Sequence, residues 1–391
     1  MTNGAWYVYA KEFKPILFQL EHRYYGQSHP TGDLSLKNLA YLTSQQALAD
    51  LAFFIESMNK QYELAPDVKW IAFGGSYPGN LAAWLRQKYP HLVHGAVSSS
   101  SPLMAKVDYT GYFGVVQDAL RSISEECVAA VGNATAQIEK LMLSKDGKRT
   151  VDKKFKLCDK IEESSALDVS NFYSNLATMF GSVVQFNHDN TGFNEEYNLT
   201  TEQFCGIMTN KTLGAEIDRL AAINDIMMNI YGETCNEYTY ESYVGPMKNV
   251  SWEAETSRQW TYQSCTEFGF FQTSDYNIFG NNFRIDLYVN VCKDLFGKQY
   301  TEKFMNDAID RTNTIYGGLD IKVSNVVFVH GSLDPWHKLG ITQTRDKDAP
   351  AILIKGAAHC ANVYNSMRID SPELRAARVE IRDYIAVWLN L

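Results

Sequence analysis

The sequence predicts an α/β fold in which a long, mainly helical segment interrupts a core of strands and helices. Short apolar stretches typical of buried strands alternate with amphipathic helices through residues 1–103, and the pattern returns in residues 315–391. Between these parts, residues 104–314 are helical in pattern, polar and rich in aromatic residues and cysteines. We therefore expect a core in two parts, residues 1–103 and 315–391, and an inserted cap formed by residues 104–314.

The elements of the core follow from their local patterns. The predicted strands are short and apolar or β-branched, and they lie at residues 16–20, 69–73, 93–98, 325–330 and 351–355. The predicted helices have apolar residues at helical spacing, and they lie at residues 6–14, 44–62, 79–89 and 372–389. Alternation of this kind indicates a parallel sheet, in which functional loops follow the carboxyl ends of the strands.

Ser76 lies in the sequence Gly-Gly-Ser-Tyr-Pro-Gly of residues 74–79, between a predicted strand and a predicted helix. A serine on such a turn is typical of the nucleophile elbow of hydrolases. The helix N-terminus directs free N–H groups toward a developing oxyanion, and we expect the Tyr77 N–H to be one donor. Pro78 departs from the strict G-x-S-x-G pattern, but proline is tolerated in the first turn of a helix.

Asp334 and His359 follow the last two predicted strands, so all three candidates lie in loops at the carboxyl ends of strands. Serine needs a base to take its proton and a third group to orient that base. The chain order Ser, Asp, His is that of the α/β-hydrolases. Taken singly, Asp334 could open a turn before Pro335 and His359 could be a surface histidine. The joint order favours a triad of Ser76, Asp334 and His359.

Longer motifs carry a resemblance to a known family. They are the run at residues 20–28 (LEHRYYGQS), the run at 263–268 (QSCTEF), the run at 334–337 (DPWH) and the Ala-His-Cys sequence at 358–360. With residues 74–77, they make the chain similar to the serine peptidases of the lysosomal Pro-X carboxypeptidase and dipeptidyl peptidase II family, most of all to its thymus-specific serine protease branch. The resemblance covers essentially the whole chain. It implies an α/β-hydrolase fold with a large inserted, mainly helical cap, and an exopeptidase that cleaves after proline near a peptide end.

The resemblance also implies an apolar proline pocket near the serine. Trp336 matches it, and Phe270 is a candidate second wall. Asn80 and Val363 stand where larger apolar side chains are expected, which weakens the expectation of a strict proline preference. Glu267 could receive the free amine of a peptide or could be a structural acid of the cap. Carboxypeptidase and dipeptidyl peptidase activity both stay open, and His359 should set the acid limb of the pH–rate profile.

Composition limits the classes of partner that the chain can bind. The 391 residues carry a net charge of −9, which argues against nucleic acid. No apolar run reaches the length of about 18 residues that a membrane span needs. No metal-ligand spacing is visible, so we expect no metal and no cofactor. We expect a peptide substrate, and the sequence allows a homodimer. A serine esterase or lipase, or a truncated non-catalytic glycoprotein, is the alternative to a peptidase.

Cysteines and glycosylation sequences indicate the compartment. Four acceptor sequences begin at Asn133, Asn198, Asn210 and Asn249. Six of the seven cysteines lie between residues 127 and 292 and would form disulfides in an oxidising compartment. We expect Cys265 to pair with Cys292 and then Cys158 with Cys205, although sequence does not fix connectivity. Cys360, next to His359, is expected to be a small buried residue rather than a catalytic thiol. We therefore expect the full-length protein to be lysosomal, endosomal or secreted.

The start of the chain departs from the family pattern. Family members have a glycine-rich segment and an earlier strand before the first helix, and no signal peptide is visible here. The glycine-rich segment supplies a second oxyanion donor, whose loss costs on the order of 3 kcal/mol. We therefore expect a truncated chain that lacks N-terminal strands of the core and is poorly folded and poorly active. A soluble, cooperatively melting and active product would contradict this expectation.

Overall fold

A parallel sheet lies at the centre of the molecule, which the computed structural model describes over residues 4–188, 199–275 and 277–391. The strands of this described part are β1 (Ile71–Gly75), β2 (Gly95–Ser99), β3 (Lys106–Asp108), β4 (Gly269–Phe271), β5 (Val326–Gly331) and β6 (Ala351–Ile354). The central sheet has the order β1-β2-β5-β6, and each neighbouring pair is parallel. Loops after all four strands therefore open at one edge of the sheet.

Both faces of the sheet are covered, as a parallel sheet requires. In β2 and β5 every residue is buried. Ala96 and Phe328 belong to the large apolar cluster that contains Trp84 of the helix Tyr77–Lys88. Val97 and Val327 belong to a second cluster with the closing helix Pro372–Leu389. The strict alternation of faces explains why nearly every residue of these strands is apolar or small.

Helices make up most of the remaining chain. They are Ala5–Phe13, Leu36–Leu39, Ser44–Gln61, Tyr77–Lys88, Gly111–Ile123, Glu125–Leu141, Lys145–Phe155, Ala166–Gln185, Thr201–Thr209, Glu216–Tyr231, Tyr240–Val244, Ser257–Gln263, Ile285–Phe296, Glu302–Tyr316 and Pro372–Leu389. A π-helical turn, Ser264–Phe268, extends Ser257–Gln263. Side-chain caps fix several starts: the Thr43 hydroxyl accepts the Gln46 N–H, and the Ser371 hydroxyl accepts the Leu374 N–H. Among the described residues, none of these helices is long and apolar enough to cross a bilayer.

The segment between β2 and β5 is mainly helical, as predicted, but it also contains a small sheet. β3 pairs in parallel with β4, with Lys106 opposite Gly269 and Asp108 opposite Phe271. This pairing joins the beginning of the segment to a point far along it. The expected boundaries of the cap, residues 104 and 314, stay a prediction.

The strand predicted at residues 16–20 does not form. These residues lie in a loop, with the Ile16 and Leu20 side chains 54% and 39% exposed. An isolated extended segment cannot pair its backbone groups, so apolar content alone does not make a strand. Phe18 is held instead by ring contacts, with centroid distances of 5.8 Å to Phe54 and 5.1 Å to Trp70.

Three disulfides stabilise the helical segment, and one expected pairing is wrong. Cys265 is bonded to Cys292, the pair that the sequence favoured. Cys158 is bonded to Cys235 and not to Cys205, which pairs with Cys127 instead. The reason is helix packing, because Cys127 and Cys205 face each other from the helices Glu125–Leu141 and Thr201–Thr209. Spacing along the chain does not reveal such contacts.

Candidate active site

Ser76 lies on a strained turn between β1 and the helix Tyr77–Lys88. Its backbone has φ 61° and ψ −134°, a region that residues other than glycine rarely adopt. The Ser76 N–H donates to the Ser99 carbonyl (2.9 Å), which holds the turn against the end of β2. A Cβ added at Gly74 would lie 2.0 Å from the Pro78 carbonyl oxygen, so only glycine fits there. The helix begins at Tyr77, two residues earlier than predicted, with Pro78 in its first turn.

Asp334 and His359 form a buried hydrogen-bonded pair. Asp334 follows β5, and His359 lies in the loop after β6. The His359 Nδ1 lies 2.8 Å from Asp334 Oδ1, and the Asp334 side chain is fully buried. The same Oδ1 accepts the Trp336 N–H at 2.9 Å. Because a carboxylate only accepts, Nδ1 carries the proton, and Nε2 is left as the basic nitrogen.

Electrostatics within the pair oppose the effect of burial. Burial alone would raise the pKa of Asp334, but the His359 charge and its hydrogen bond hold that pKa below its ordinary value. Burial alone would lower the pKa of His359, but the Asp334 carboxylate, helped by Cys360, raises it well above its ordinary value. The pair therefore stabilises an imidazolium, which is the form of His359 that appears when the histidine takes a proton.

Close packing joins the His359 loop to the Ser76 turn. A Cβ added at Gly75 would lie 3.0 Å from the Cys360 Sγ, so the residue after His359 rests on the residue before Ser76. The Cys360 N–H donates to the Ser100 hydroxyl at 2.8 Å, which ties the same loop to the end of β2. Cys360 is buried and free of any disulfide. The three candidate residues thus come from loops that contact one another at one edge of the sheet.

A hydrogen-bond network holds the Tyr77 side chain, and sequence reasoning missed its members. The Tyr77 hydroxyl accepts from Gln263 Nε2 (3.2 Å) and lies 3.1 Å from His22 Nε2. Gln263 Oε1 accepts from the Tyr25 hydroxyl at 2.7 Å. His22, Tyr25 and Gln263 come from the two motif runs at 20–28 and 263–268. In the sequence, only the unusual length of these runs indicated that their residues are important. It did not indicate what each residue does.

Glu267 is buried in a hydrogen-bond network, and it is not among the residues that line the cavity described below. Its carboxylate accepts the Ser44 N–H (2.9 Å) and the Ser44 hydroxyl (2.7 Å), and Gln263 Nε2 lies 3.4 Å away. Burial raises the pKa of Glu267 despite these bonds. Asn80, predicted at the substrate pocket, is likewise absent from the lining of that cavity. It is fully buried on the helix Tyr77–Lys88 and donates to the Pro102 carbonyl at 3.0 Å.

Trp336 and Phe270 are brought together, as their proposed common role requires. Their ring centroids lie 5.6 Å apart in an edge-to-face arrangement. The Trp336 ring also contacts Tyr109 (5.7 Å) and Tyr112 (5.4 Å), and its indole N–H donates to Gln185 Oε1 at 2.8 Å. The backbone carbonyl of Gln185 accepts the backbone N–H of His359 (2.9 Å). The aromatic group around Trp336 therefore lies next to the histidine.

An open cavity of about 780 Å³ adjoins Ser76. Its walls combine the elbow with the motif run at 20–28 and with the segment 255–260. The lining residues are His22, Tyr25, Ser76, Tyr77, Pro78, Glu255, Thr256, Ser257 and Trp260. Trp336 and Phe270 are not among them. The cavity is large enough for several peptide residues and reaches the hydroxyl-bearing turn directly.

The other predictions concern glycosylation acceptors and metal ligands. Asn133, Asn210 and Asn249 are exposed, as an acceptor of a glycan must be, while Asn198 lies outside the described residues. The side-chain oxygens of Asn210 and Asn249 accept backbone N–H groups of Thr212 and Ser251. Within the described ranges, one group of potential metal ligands is present, Cys158, Cys235 and Glu237, but its two sulfurs are joined in a disulfide.

Comparison with known proteins places this geometry in context. The chain matches the family model for serine carboxypeptidase S28 over residues 1–381. A protein named as a serine protease from Caenorhabditis elegans is 34% identical, over 99% of this chain and 76% of that protein. The mouse thymus-specific serine protease is 33% identical over 96% of this chain and 74% of its own length. The human lysosomal Pro-X carboxypeptidase is 28% identical over 100% of this chain and 77% of its own length.

Proposed function

Because the chain belongs to the serine carboxypeptidase S28 family and is a serine exopeptidase with an α/β-hydrolase core and a helical cap, we propose that Ser76, His359 and Asp334 are its catalytic residues. The observation that carries the proposal is the 2.8 Å contact between His359 Nδ1 and the buried Asp334 carboxylate, in a loop packed against the Ser76 turn. A buried acid–histidine pair beside a strained serine has the arrangement that acyl transfer needs.

The chemistry follows from these positions. His359 Nε2 takes the proton of the Ser76 hydroxyl as its oxygen attacks the peptide carbonyl. The Tyr77 N–H, at the start of a helix, stabilises the oxyanion that forms. His359 then gives its proton to the leaving amine, and an acyl-enzyme on Ser76 remains. Water, deprotonated by the same nitrogen, attacks this ester and releases the acid. Asp334 keeps its charge and orients the imidazole throughout.

We further propose that cleavage follows proline near a chain end. Proline is compact and apolar, and the aromatic group of Trp336, Phe270, Tyr109 and Tyr112 offers ring faces of matching character beside His359. The name of the human relative, lysosomal Pro-X carboxypeptidase, supports the same bond type. It also supports a lysosomal or secreted location, with which three disulfides and three exposed acceptor asparagines agree.

A serine-reactive phosphonate probe tests the triad. The protein, expressed through the secretory pathway, should be labelled at pH 5 and pH 7, and labelling should disappear in Ser76→Ala and fall strongly in His359→Ala. The matched control is His91→Ala, since His91 is an exposed histidine far from β6 in the chain and should leave labelling unchanged. Labelling that survives Ser76→Ala would overturn the assignment of the nucleophile.

A further inference from the structure

His330 is a fully buried histidine that the proposed proton transfers do not use. It lies near the end of β5, on the same face of the strand as Phe328 and four residues before Asp334. Neither of its ring nitrogens has a hydrogen-bond partner among the described residues. Buried polar atoms of folded proteins are nearly always hydrogen-bonded, so an unpaired ring at this position needs an explanation.

The Asp334 carboxylate has the complementary deficiency. Its Oδ1 accepts from His359 Nδ1 and from the Trp336 N–H. Its Oδ2 is buried and accepts no hydrogen bond within the described part of the chain. His330 Nδ1 lies 4.0 Å from this Oδ2. That distance is longer than a hydrogen bond, but a charge still attracts an N–H dipole across it in an interior of low dielectric constant.

Close packing holds the His330 ring beside Asp334. The helical turn Pro335–Leu339 follows Asp334 and leads the chain to Gly340. A Cβ added at Gly340 would lie 2.1 Å from His330 Cε1 and Nε2, and 2.8 Å from the Ser101 carbonyl oxygen. Gly340 has φ −113°, which any residue can adopt, so its missing side chain serves to make room. The backbone of Gly340 therefore packs against one edge of the ring, and Nδ1 lies on the side of Asp334.

The carboxylate also selects the tautomer of His330. A lone pair on Nδ1 would be repelled by the charge that faces it, whereas an Nδ1–H is attracted. Burial lowers the pKa of His330 to about 4 and so favours the neutral ring above that pH. The other titratable groups that act on this pKa are Asp334, whose charge raises it, and His337 and His359, whose charges lower it. His330 therefore presents a dipole to Asp334.

We propose that His330 is a positioning residue, whose Nδ1–H faces Asp334 Oδ2 and fixes the carboxylate in the orientation that His359 requires. The inference rests on the proposed function of Ser76, His359 and Asp334. Without His330, the carboxylate is held through Oδ1 alone and is free to turn about its Cβ–Cγ bond. The same N–H draws on the negative charge of Asp334, so it limits how far Asp334 raises the pKa of His359.

The test uses substitutions that keep or remove the donor at one place. In His330→Asn, the amide nitrogen takes the position of Nδ1. In His330→Gln, the amide lies at the position of Nε2 and leaves Oδ2 without a donor, and His330→Leu removes both nitrogens at similar volume. Each variant reacts with the serine-reactive phosphonate probe at several concentrations between about pH 4 and pH 8. This gives the maximal labelling rate and the half-saturating concentration, and melting temperature reports folding.

We expect the maximal labelling rate to fall about tenfold in His330→Gln and His330→Leu, which corresponds to about 1.4 kcal/mol of activation free energy, and to stay within about threefold of the wild type in His330→Asn. The half-saturating concentration should not change, because His330 does not line the cavity beside Ser76.

The pH profile separates positioning from packing. Titration of His359 responds to Asp334 and to its neighbour Cys360. In His330→Gln and His330→Leu the full charge of Asp334 acts on His359, so the acid limb should move to higher pH, whereas His330→Asn should keep the limb of the wild type. A purely structural role of His330 would lower the melting temperature without moving the limb, and that result would overturn the inference.

A double-mutant cycle shows whether His330 acts through Asp334. In an Asp334→Asn background, where the charge is already lost, His330→Leu should cause no further fall in the labelling rate. Equal losses in both backgrounds would contradict the inference, and so would equal rates for folded His330→Asn and His330→Gln. That last pair decides the matter if His330→Leu does not fold. Absence of Ser76-dependent label in the wild type would instead refute the proposed function, and the inference with it.

Discussion

Replacement of Asp334 by Asn isolates the charge of the acid from its geometry. Asp334 Oδ1 accepts both the His359 Nδ1–H and the Trp336 N–H, whereas Oδ2 has no hydrogen-bond partner among the described residues. An asparagine can place its single oxygen at the Oδ1 position and its amide nitrogen at the Oδ2 position. Both hydrogen bonds can then persist while the negative charge is lost.

The size of the effect follows from the distance between the two groups. With an effective dielectric constant of about 20, unit charges 2.8 Å apart attract by about 6 kcal/mol, and spreading the charges over the imidazolium and carboxylate reduces this to about 4 kcal/mol. Each 1.36 kcal/mol is a factor of ten in rate. The kcat of Asp334→Asn should therefore fall by roughly 10³ to 10⁴, with KM little changed because neither residue lines the cavity beside Ser76.

The pH–rate profile provides the decisive assay. In the wild type the Asp334 carboxylate raises the pKa of His359, whereas burial acting alone would lower it. Residual activity of Asp334→Asn should therefore show an acid limb at lower pH than the wild type. Melting temperature and circular dichroism serve as the folding control. A fall in kcat with an unmoved acid limb in a folded variant would refute the reasoning, since His359 would then not be the base that Asp334 controls.

Three further measurements test the base, a buried hydrogen bond and a disulfide. In the wild type, kcat/KM should rise with pH up to a limit above about 6.5, the ordinary histidine value, because the raised pKa of His359 keeps the base protonated below it; a flat profile between pH 4 and 7 would contradict this. Gln263→Leu should cost about 1–3 kcal/mol of unfolding free energy in chemical denaturation, since it removes the donor to the buried Tyr77 hydroxyl; an unchanged midpoint would show that this bond is dispensable. Replacing Cys265 and Cys292 by serine opens a loop with a sequence separation of 27, and should cost about 3.5 kcal/mol on the chain-entropy relation; a loss below 1 kcal/mol would contradict it.

Most of the central sheet, and the loops that carry Ser76, Asp334 and His359, were predictable from sequence because they depend on local patterns. A strand that ends in Gly-Gly-Ser and continues into a helix specifies an elbow without any long-range information. The strands near Val326 and Ala351 were likewise recognisable by their β-branched residues, and the loop after each contains a candidate residue. Parallel pairing then requires the loops to meet at one edge.

Contacts between distant segments were not accessible in the same way. Glu267 accepts hydrogen bonds from Ser44, which is 223 residues away, and nothing in either local sequence indicates this partner. The Cys127–Cys205 pair depends on how two helices pack, and the loop at residues 16–20 has strand composition but no ladder. In each case the deciding interaction is tertiary, and it overrides local pattern.

Three histidines near the site, of which His330 and His359 are buried and His22 is partly buried, show how one type of side chain acquires different properties. His330 is fully buried with its Nδ1 4.0 Å from Asp334 Oδ2, and burial lowers its pKa to about 4. His22 is bound to a carbonyl and a hydroxyl, and burial lowers its pKa as well. Only His359 has a carboxylate at 2.8 Å, and there the attraction exceeds the cost of burial.

The directions of these pKa shifts support the proposal that His359, rather than His22 or His330, takes the proton of Ser76. Desolvation falls on all three rings, so it cannot distinguish them, whereas attraction to a carboxylate falls off with distance and is lost where the hydrogen bond is absent. The general base in acyl transfer becomes positively charged when it accepts the proton. Of the three rings, only His359 has a carboxylate close enough to stabilise that charge. Burial lowers the pKa of both His22 and His330, which disfavours their charged forms. His22 is also already engaged with the Tyr77 hydroxyl and the Arg23 carbonyl, and neither ring competes with His359 for the proton of Ser76.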